Sequence, residues 1–224
     1  SFVTELVSSG GAMILSSLVA SDDADTREHA MAALSQIIDA ARNMNVRLGV
    51  FIEAFQITNI QTCSETAIIE TVVSSGACGA TLAQLLLSAD NSSAAMACDF
   101  ARSLVYPIIS NPLGTSVPRY HRLFASNVDL AVDEDGLKEY RKAALNIGAS
   151  DGVLGALVHL VTDVHGAGLR PVELRRSAMQ ILAAIAHTVA YWDSKIKNCG
   201  KPVETMDESI LRLHEKVGIA VTIF

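Results

Sequence analysis

Three stretches of this chain repeat one order: a Ser/Gly turn, a short apolar helix, a polar gap and a longer helix. Residues 73–109 read VSSGACGATLAQLLLSADNSSAAMACDFARSLVYPII, and they line up with VSSGGAMILSSLVASDDADTREHAMAALSQIIDA at 7–40. The stretch 139–187 repeats the order around Ser150-Asp151-Gly152. In each, apolar residues recur at helical spacing, as with Ala30, Ala33, Leu34, Ile37, Ile38 and Ala41. Recurring helical units of this size bury a continuous core by stacking on their neighbours. No strand-like alternation competes, and the expected class is all-α.

The glycines that open these units are Gly10, Gly76 and Gly152, which are 66 and 76 residues apart. One helical repeat takes roughly 40 residues, so each interval reads as one full unit plus one divergent pair. The pattern predicts about five units, at 8–43, 46–72, 73–109, 117–149 and 151–190, with a terminal helix at 206–221. Pro107 is expected to stop or kink the helix that carries it. Residues 110–116, SNPLGTS, read as a loop, and 117–131 as a helix beginning at Pro118. Asp133-Glu134-Asp135 reads as an acidic helix start, which the helix dipole favours. The chain begins at Ser1 and ends on Val-Thr-Ile-Phe, and both ends read as cuts in a longer polypeptide.

Composition narrows the function classes. Half of the 224 residues are apolar and only 5% are aromatic, which suits close helix-on-helix packing. The net charge of −7 lies in the first half, where residues 1–110 hold 4 Lys+Arg against 11 Asp+Glu; the remainder holds 13 of each. With no basic tract, nucleic acid is not expected as a partner, and an anionic membrane surface is disfavoured. No run of 18 apolar residues occurs, so no membrane span is expected. Cys63, Cys78, Cys98 and Cys199 have no zinc-site spacing and read as reduced thiols in an intracellular, cytoplasmic protein, with nuclear or cytoskeletal association open.

The phrase Ala143-Ala144-Leu145-Asn146-Ile147-Gly148-Ala149-Ser150-Asp151-Gly152-Val153-Leu154, followed by Leu157-Val158-His159-Leu160-Val161, resembles an armadillo repeat joint. Residues 176–186, RSAMQILAAIA, resemble the third helix that follows. The likeness covers most of 8–43, 74–109 and 139–190, and HEAT repeats share much of it. The resemblance implies a right-handed α-solenoid, or superhelix, whose third helices line a concave groove for protein partners. Importin-type members place Trp and Asn one turn apart along that groove. Here Asn146 holds the Asn-like position and Lys142 the Trp-like one, and the equivalents are Ala32 with Gln36 and Gln180 with Ala184. Since the Trp ladder is missing, a partner other than a nuclear-import signal is expected.

Candidate chemistry weighs less than its structural counterpart. Asp22-Asp23-Ala24-Asp25 offers carboxylates to a metal, but the spacing is compressed and the position suits helix capping. No HExxH or i, i+4 histidine pair occurs, and His159 and His187 read as half-buried polar spacers. Gly148 to Gly152 follows a helix and lacks a Lys-Ser/Thr, so it reads as a turn and not a phosphate loop. Asn91-Ser92-Ser93 fits the glycosylation sequon, yet reads as a capping gap. The cations Arg119, Arg122, Lys138, Arg141 and Lys142, with Arg170, Arg175 and Arg176, read mainly as a solvated face. The expected function is a non-enzymatic protein-binding scaffold or adaptor, with no cofactor and no metal. Its groove would be read by Gln36, Lys142, Asn146, Arg176 and Gln180, and would take a protein or extended peptide, acidic where Lys142 and Arg176 share a wall. The alternatives are a regulatory armadillo domain within a multidomain protein and an all-α metal-dependent enzyme.

Overall fold

Two of the long helices begin on the same Ser-x-Asp phrase. A computed structural model of the chain describes residues 5, 6, 8–55, 65–75, 79–110, 137–162, 170–198, 211, 212 and 214–217. Asp23 accepts from the Thr26 amide at 2.8 Å and from the Thr26 hydroxyl, while its own amide donates to Ser21 Oγ at 3.3 Å. Sixty-seven residues later, Asp90 accepts from the amides of Ser93 at 2.9 Å and Ser92 at 3.2 Å, and its amide donates to Ser88 Oγ at 3.2 Å. Each Asp satisfies helix amides that have no partner within the helix. Hydrogen bonds from the Thr26 hydroxyl and amide hold the Asp23 carboxyl below the usual range; those from the Ser93 amide and hydroxyl do the same for Asp90.

That direction gives a pH signature. A carboxyl lowered in the folded state stabilises fully above its unfolded value of about 4, and the contribution is lost as pH falls through the folded value. The double variant D23A/D90A is expected to melt below the wild type at pH 7. The gap should narrow as the pH drops below about 4. Thermal melts across pH measure it, and a gap that ignores pH would remove the carboxylates as its cause.

The described residues form helices and no strand. In order they are α1 (Gly11–Leu18), α2 (Ala24–Phe55), α3 (Glu65–Ser74), α4 (Ala80–Leu86), α5 (Asn91–Ser110), α6 (Leu137–Ala149), α7 (Val153–Thr162) and α8 (Val172–Asn198). None is long and apolar enough alone to cross a membrane. The short helices α1 and α7 open on Gly10 and Gly152, at φ of 80° and 81°. Glycine holds that left-handed conformation at no steric cost. Gly152 ends a turn in which Ser150 caps back onto Asn146 O at 2.7 Å, and α6 and α7 meet at 82°. The stretch 148–152 is thus a joint between helices.

Helices of like position pack on one another across the interval of about 70 residues. The long helices α2, α5 and α8 lie in a row, α4 packs on α7, and α3 packs on α6. Among the fully buried residues, Leu34 and Ile38 come from α2, Phe100 and Leu104 from α5, and Leu145 and Ile147 from α6. Burial pushes the Cys98 thiol on α5 up to about 12.

Arginines bind the joints. Arg27 donates through Nη1 to Ser21 O at 2.8 Å and Asp22 O at 2.9 Å, closing the end of α1. The matching carbonyls after α4 are those of Ser88 and Ala89, where α5 has Ala94 in the place of Arg27. Arg170, from the next unit, reaches them instead: Nη2 lies 2.9 Å from Ser88 O, and Nη1 lies 3.4 Å from Ala89 O and 2.7 Å from Asn91 Oδ1. These carbonyls lie in the gaps beyond Leu18 and Leu86, and the arginine fork supplies donors to them.

One helix boundary differs from the sequence expectation. The second unit was expected to begin near 46, but α2 runs unbroken to Phe55. Residues 41–46, ARNMNV, hold neither Gly nor Pro, so nothing there stops a helix. Helix α5 ends at Ser110, beside the expected end of its unit at 109, with Pro107 in its last turn. Proline has no N–H for the carbonyl four residues back, here Ser103 O. Arg42 Nη2 of α2 donates to that carbonyl at 2.9 Å. The expected loop at 111–116, the helix at 117–131 and the acidic cluster 133–135 lie outside the described residues, as do Cys63, Cys78 and Cys199. Of the expected terminal helix, 211, 212 and 214–217 are described and helical.

Candidate functional site

The solvent faces of α2 and α5 bound an open groove of about 530 Å³. Its walls are charged side chains paired within their own helices. Arg42 Nη1 meets Asp39 Oδ1 at 2.7 Å, and Arg102 Nη2 meets Asp99 Oδ1 at 3.0 Å. The Arg42 guanidinium also stacks over the Tyr106 ring, 4.5 Å from its centroid, and Arg42 is only 7% exposed. Four interactions therefore fix this arginine: Asp39, Ser103 O, the ring and the surrounding core. Gln36 and Ala32 complete the α2 wall, with Met96 and Ser103 on the α5 side. The Ser35 hydroxyl at the groove is buried with no hydrogen-bond partner.

A second groove, of about 470 Å³, lies between α3 and α6. Glu70, Thr71 and Ser74 line one side, Lys142 and Asn146 the other. Lys142 Nζ is 3.9 Å from Glu70 Oε1, a loose pair between partly exposed groups that contributes little to stability. Asn146 donates through Nδ2 to Lys142 O at 2.8 Å, which turns its amide along its own helix.

The five residues expected to read a partner thus fall in three places. Lys142 and Asn146 share the α3/α6 groove, and Gln36 lies in the α2/α5 groove. Arg176 and Gln180 stand on α8, where Arg176 Nη1 pairs with Glu173 Oε2 at 3.0 Å. Lys142 and Arg176 were expected to share a wall if neighbouring helices aligned; α6 and α8 pack on each other, and Arg176 does not line the groove that holds Lys142.

Other sequence candidates resolve individually. Arg141, counted with a solvated face, is 5% exposed and lies 3.5 Å over the Tyr191 ring. His187 is exposed on α8, while His159 is half-buried. Among the described residues no three His, Cys, Asp or Glu side chains converge on a metal position. The groove residues Asp39, Arg42, Asp99, Arg102 and Tyr106 were missed by sequence reasoning. A signal was present: the phrase Asp-x-x-Arg occurs on both long helices, as Asp39-Ala-Ala-Arg42 and Asp99-Phe-Ala-Arg102.

No family model matches this chain, and no curated protein does. Among solved structures it is similar to the crystal structure of an engineered protein from the Northeast Structural Genomics Consortium, at 18% identity and a TM-score of 0.23. That match covers 98% of this chain, which spans 60% of the other chain's length. What stands is an all-α protein.

Proposed function

We propose that this chain is a non-enzymatic protein-binding scaffold, built as an armadillo- or HEAT-like right-handed solenoid, whose partner is a protein or an extended peptide. The observation that carries this reading is the open α2/α5 groove, whose charges are paired and held before any partner arrives. Pre-set side chains lower the ordering cost of binding. The packing of like helices in rows supports the solenoid half of the reading. Lys142 and Asn146 in the neighbouring groove would meet acidic side chains of the same partner.

The test is affinity capture followed by titration of the recovered partner as a purified protein. Ala32→Trp fills the α2/α5 groove from its wall and should weaken binding at least about tenfold, the size of one lost interface anchor. The double charge reversal Lys142→Glu and Arg176→Glu should weaken an acidic partner further. A partner whose affinity ignores both changes would end the groove reading.

A further inference from the structure

The three long helices share a register. The amides of Arg27, Ala94 and Arg175 bond to the carbonyls of Asp23, Asp90 and Pro171, at 3.1, 3.2 and 3.1 Å. Residues 67 apart between α2 and α5, and 81 apart between α5 and α8, are therefore equivalent. On α2, one strip carries Met31, Ile38 and Arg42, all buried, and Arg42 of that strip reaches α5 at Ser103. On α5, the equivalent strip carries Asn91, Cys98 and Val105. Cys98 and Val105 are fully buried, and Asn91 is held by Arg170 of the following unit. Arg42 carries the α2 strip onto α5, and Arg170 of the following unit meets the α5 strip at Asn91.

On α8 the same strip is Val172, Met179, Ala183, Ala186 and Ala190, and all five residues are exposed. Met179 is 56% exposed where its α2 counterpart Met31 is 1%, whereas Val172, 66% exposed, matches Ala24, which is exposed too. The opposite face behaves in the converse way. Ala184 and Thr188 of α8 are each 1% exposed, but their α2 equivalents Gln36 and Ala40 are exposed. The molecule uses one helix-to-helix interface twice, α2 to α5 and α5 to α8, and presents both of its halves to solvent at the two ends of the row.

We propose that a second copy of this chain covers the α8 strip with its own α2 face, continuing the row from one molecule into the next. The interface is of the head-to-tail kind, so association continues beyond a dimer unless the rotation closes a ring. Alanine at 183, 186 and 190 lets the incoming helix approach closely. The α2 face shares Gln36 with the α2/α5 groove, so the test variants are placed at Ala186 and Ala40, which line neither groove.

Sedimentation velocity of the whole chain across concentration tests it. The wild type should gain mass with concentration beyond the dimer. Ala186→Glu should weaken association at least tenfold, and Ala40→Glu should do the same from the other half, both with unchanged melting. An equal mixture of the two variants should form a dimer and stop there, since each retains one working face. A wild type that stays monomeric to about 1 mM overturns the proposal. So does an Ala40→Glu variant that associates like the wild type, because α8 would then be meeting something other than α2. If Ala186→Glu lowers the melting temperature, Ala190→Glu on the same strip replaces it and must reproduce the loss.

Discussion

Replacing Arg42 by methionine is expected to destabilise the protein by about 2–3 kcal/mol, the cost of leaving a buried polar group without its charged donor. Pro107 cannot supply the N–H that Ser103 O would receive in an unbroken helix. Arg42 fills that vacancy from α2 at 2.9 Å, and its stacking on Tyr106 holds the guanidinium in place. Methionine keeps most of the stem's packing and removes the donor. Exposed Asp39 is left to solvent and adds little. Urea denaturation should show a lower midpoint with an unchanged slope. The decisive measurement is the cycle with Pro107→Ala. That change restores a backbone N–H for Ser103 O, so Arg42→Met should cost less in its presence by about 1 kcal/mol or more, the value of one hydrogen bond. Equal costs in both backgrounds would mean that Arg42 acts through packing alone.

Gly148→Leu is expected to cost about 1–3 kcal/mol or more through overpacking. A Cβ at residue 148 would lie 3.0 Å from Ile185 Cγ2 and 3.1 and 3.2 Å from the two methyls of Val217. Alanine asks these side chains to give by tenths of an ångström, and it recovers about 1 kcal/mol of helix propensity, so Gly148→Ala should be near neutral. Leucine has no such room. The element that yields is the segment around 214–217, held by buried Val217, by His214 at 3.2 Å from Asp193 and by Lys216 at 3.1 Å from Asp151. Trp192 is the chain's one tryptophan and neighbours Asp193, so its emission should shift to the red as the segment leaves. An unmoved spectrum together with unchanged stability would show that Val217 does not press on Gly148.

Much of the local structure was legible in the residues. Ala30, Leu34, Ile37 and Ala41 announce one face of α2, and Ser-x-Asp announces the starts of α2 and α5, because capping needs only neighbours in sequence. The joint at Ser150-Asp151-Gly152 was legible for the same reason. Neighbour relations were not. The spacing of Gly10, Gly76 and Gly152 pointed to stacked units but not to which helices touch: α4 meets α7 and α5 meets α8 a whole interval away, while α6 meets α5 and α8 from within one interval. Arg141 read as a solvated cation and Arg42 was passed over because their partners, Tyr191 and Ser103 O, lie 50 and 61 residues away. The candidate groove suffered likewise: Gln36 came from the armadillo resemblance, as the equivalent of Asn146, while Asp99, Arg102 and Tyr106 depend on which helix lies opposite.

Arg170 adds a matter of timing. The carbonyls of Ser88 and Ala89 wait for an arginine about 80 residues further along, and the apolar strip of α2 waits for α5. At ribosomal rates of roughly 5–20 residues per second, each half-built layer stands open for several seconds before its cover emerges. A nascent chain of this design offers its stickiest surfaces in sequence, one per layer. Chaperone demand during synthesis should therefore rise and fall with the same interval that spaces Gly10, Gly76 and Gly152.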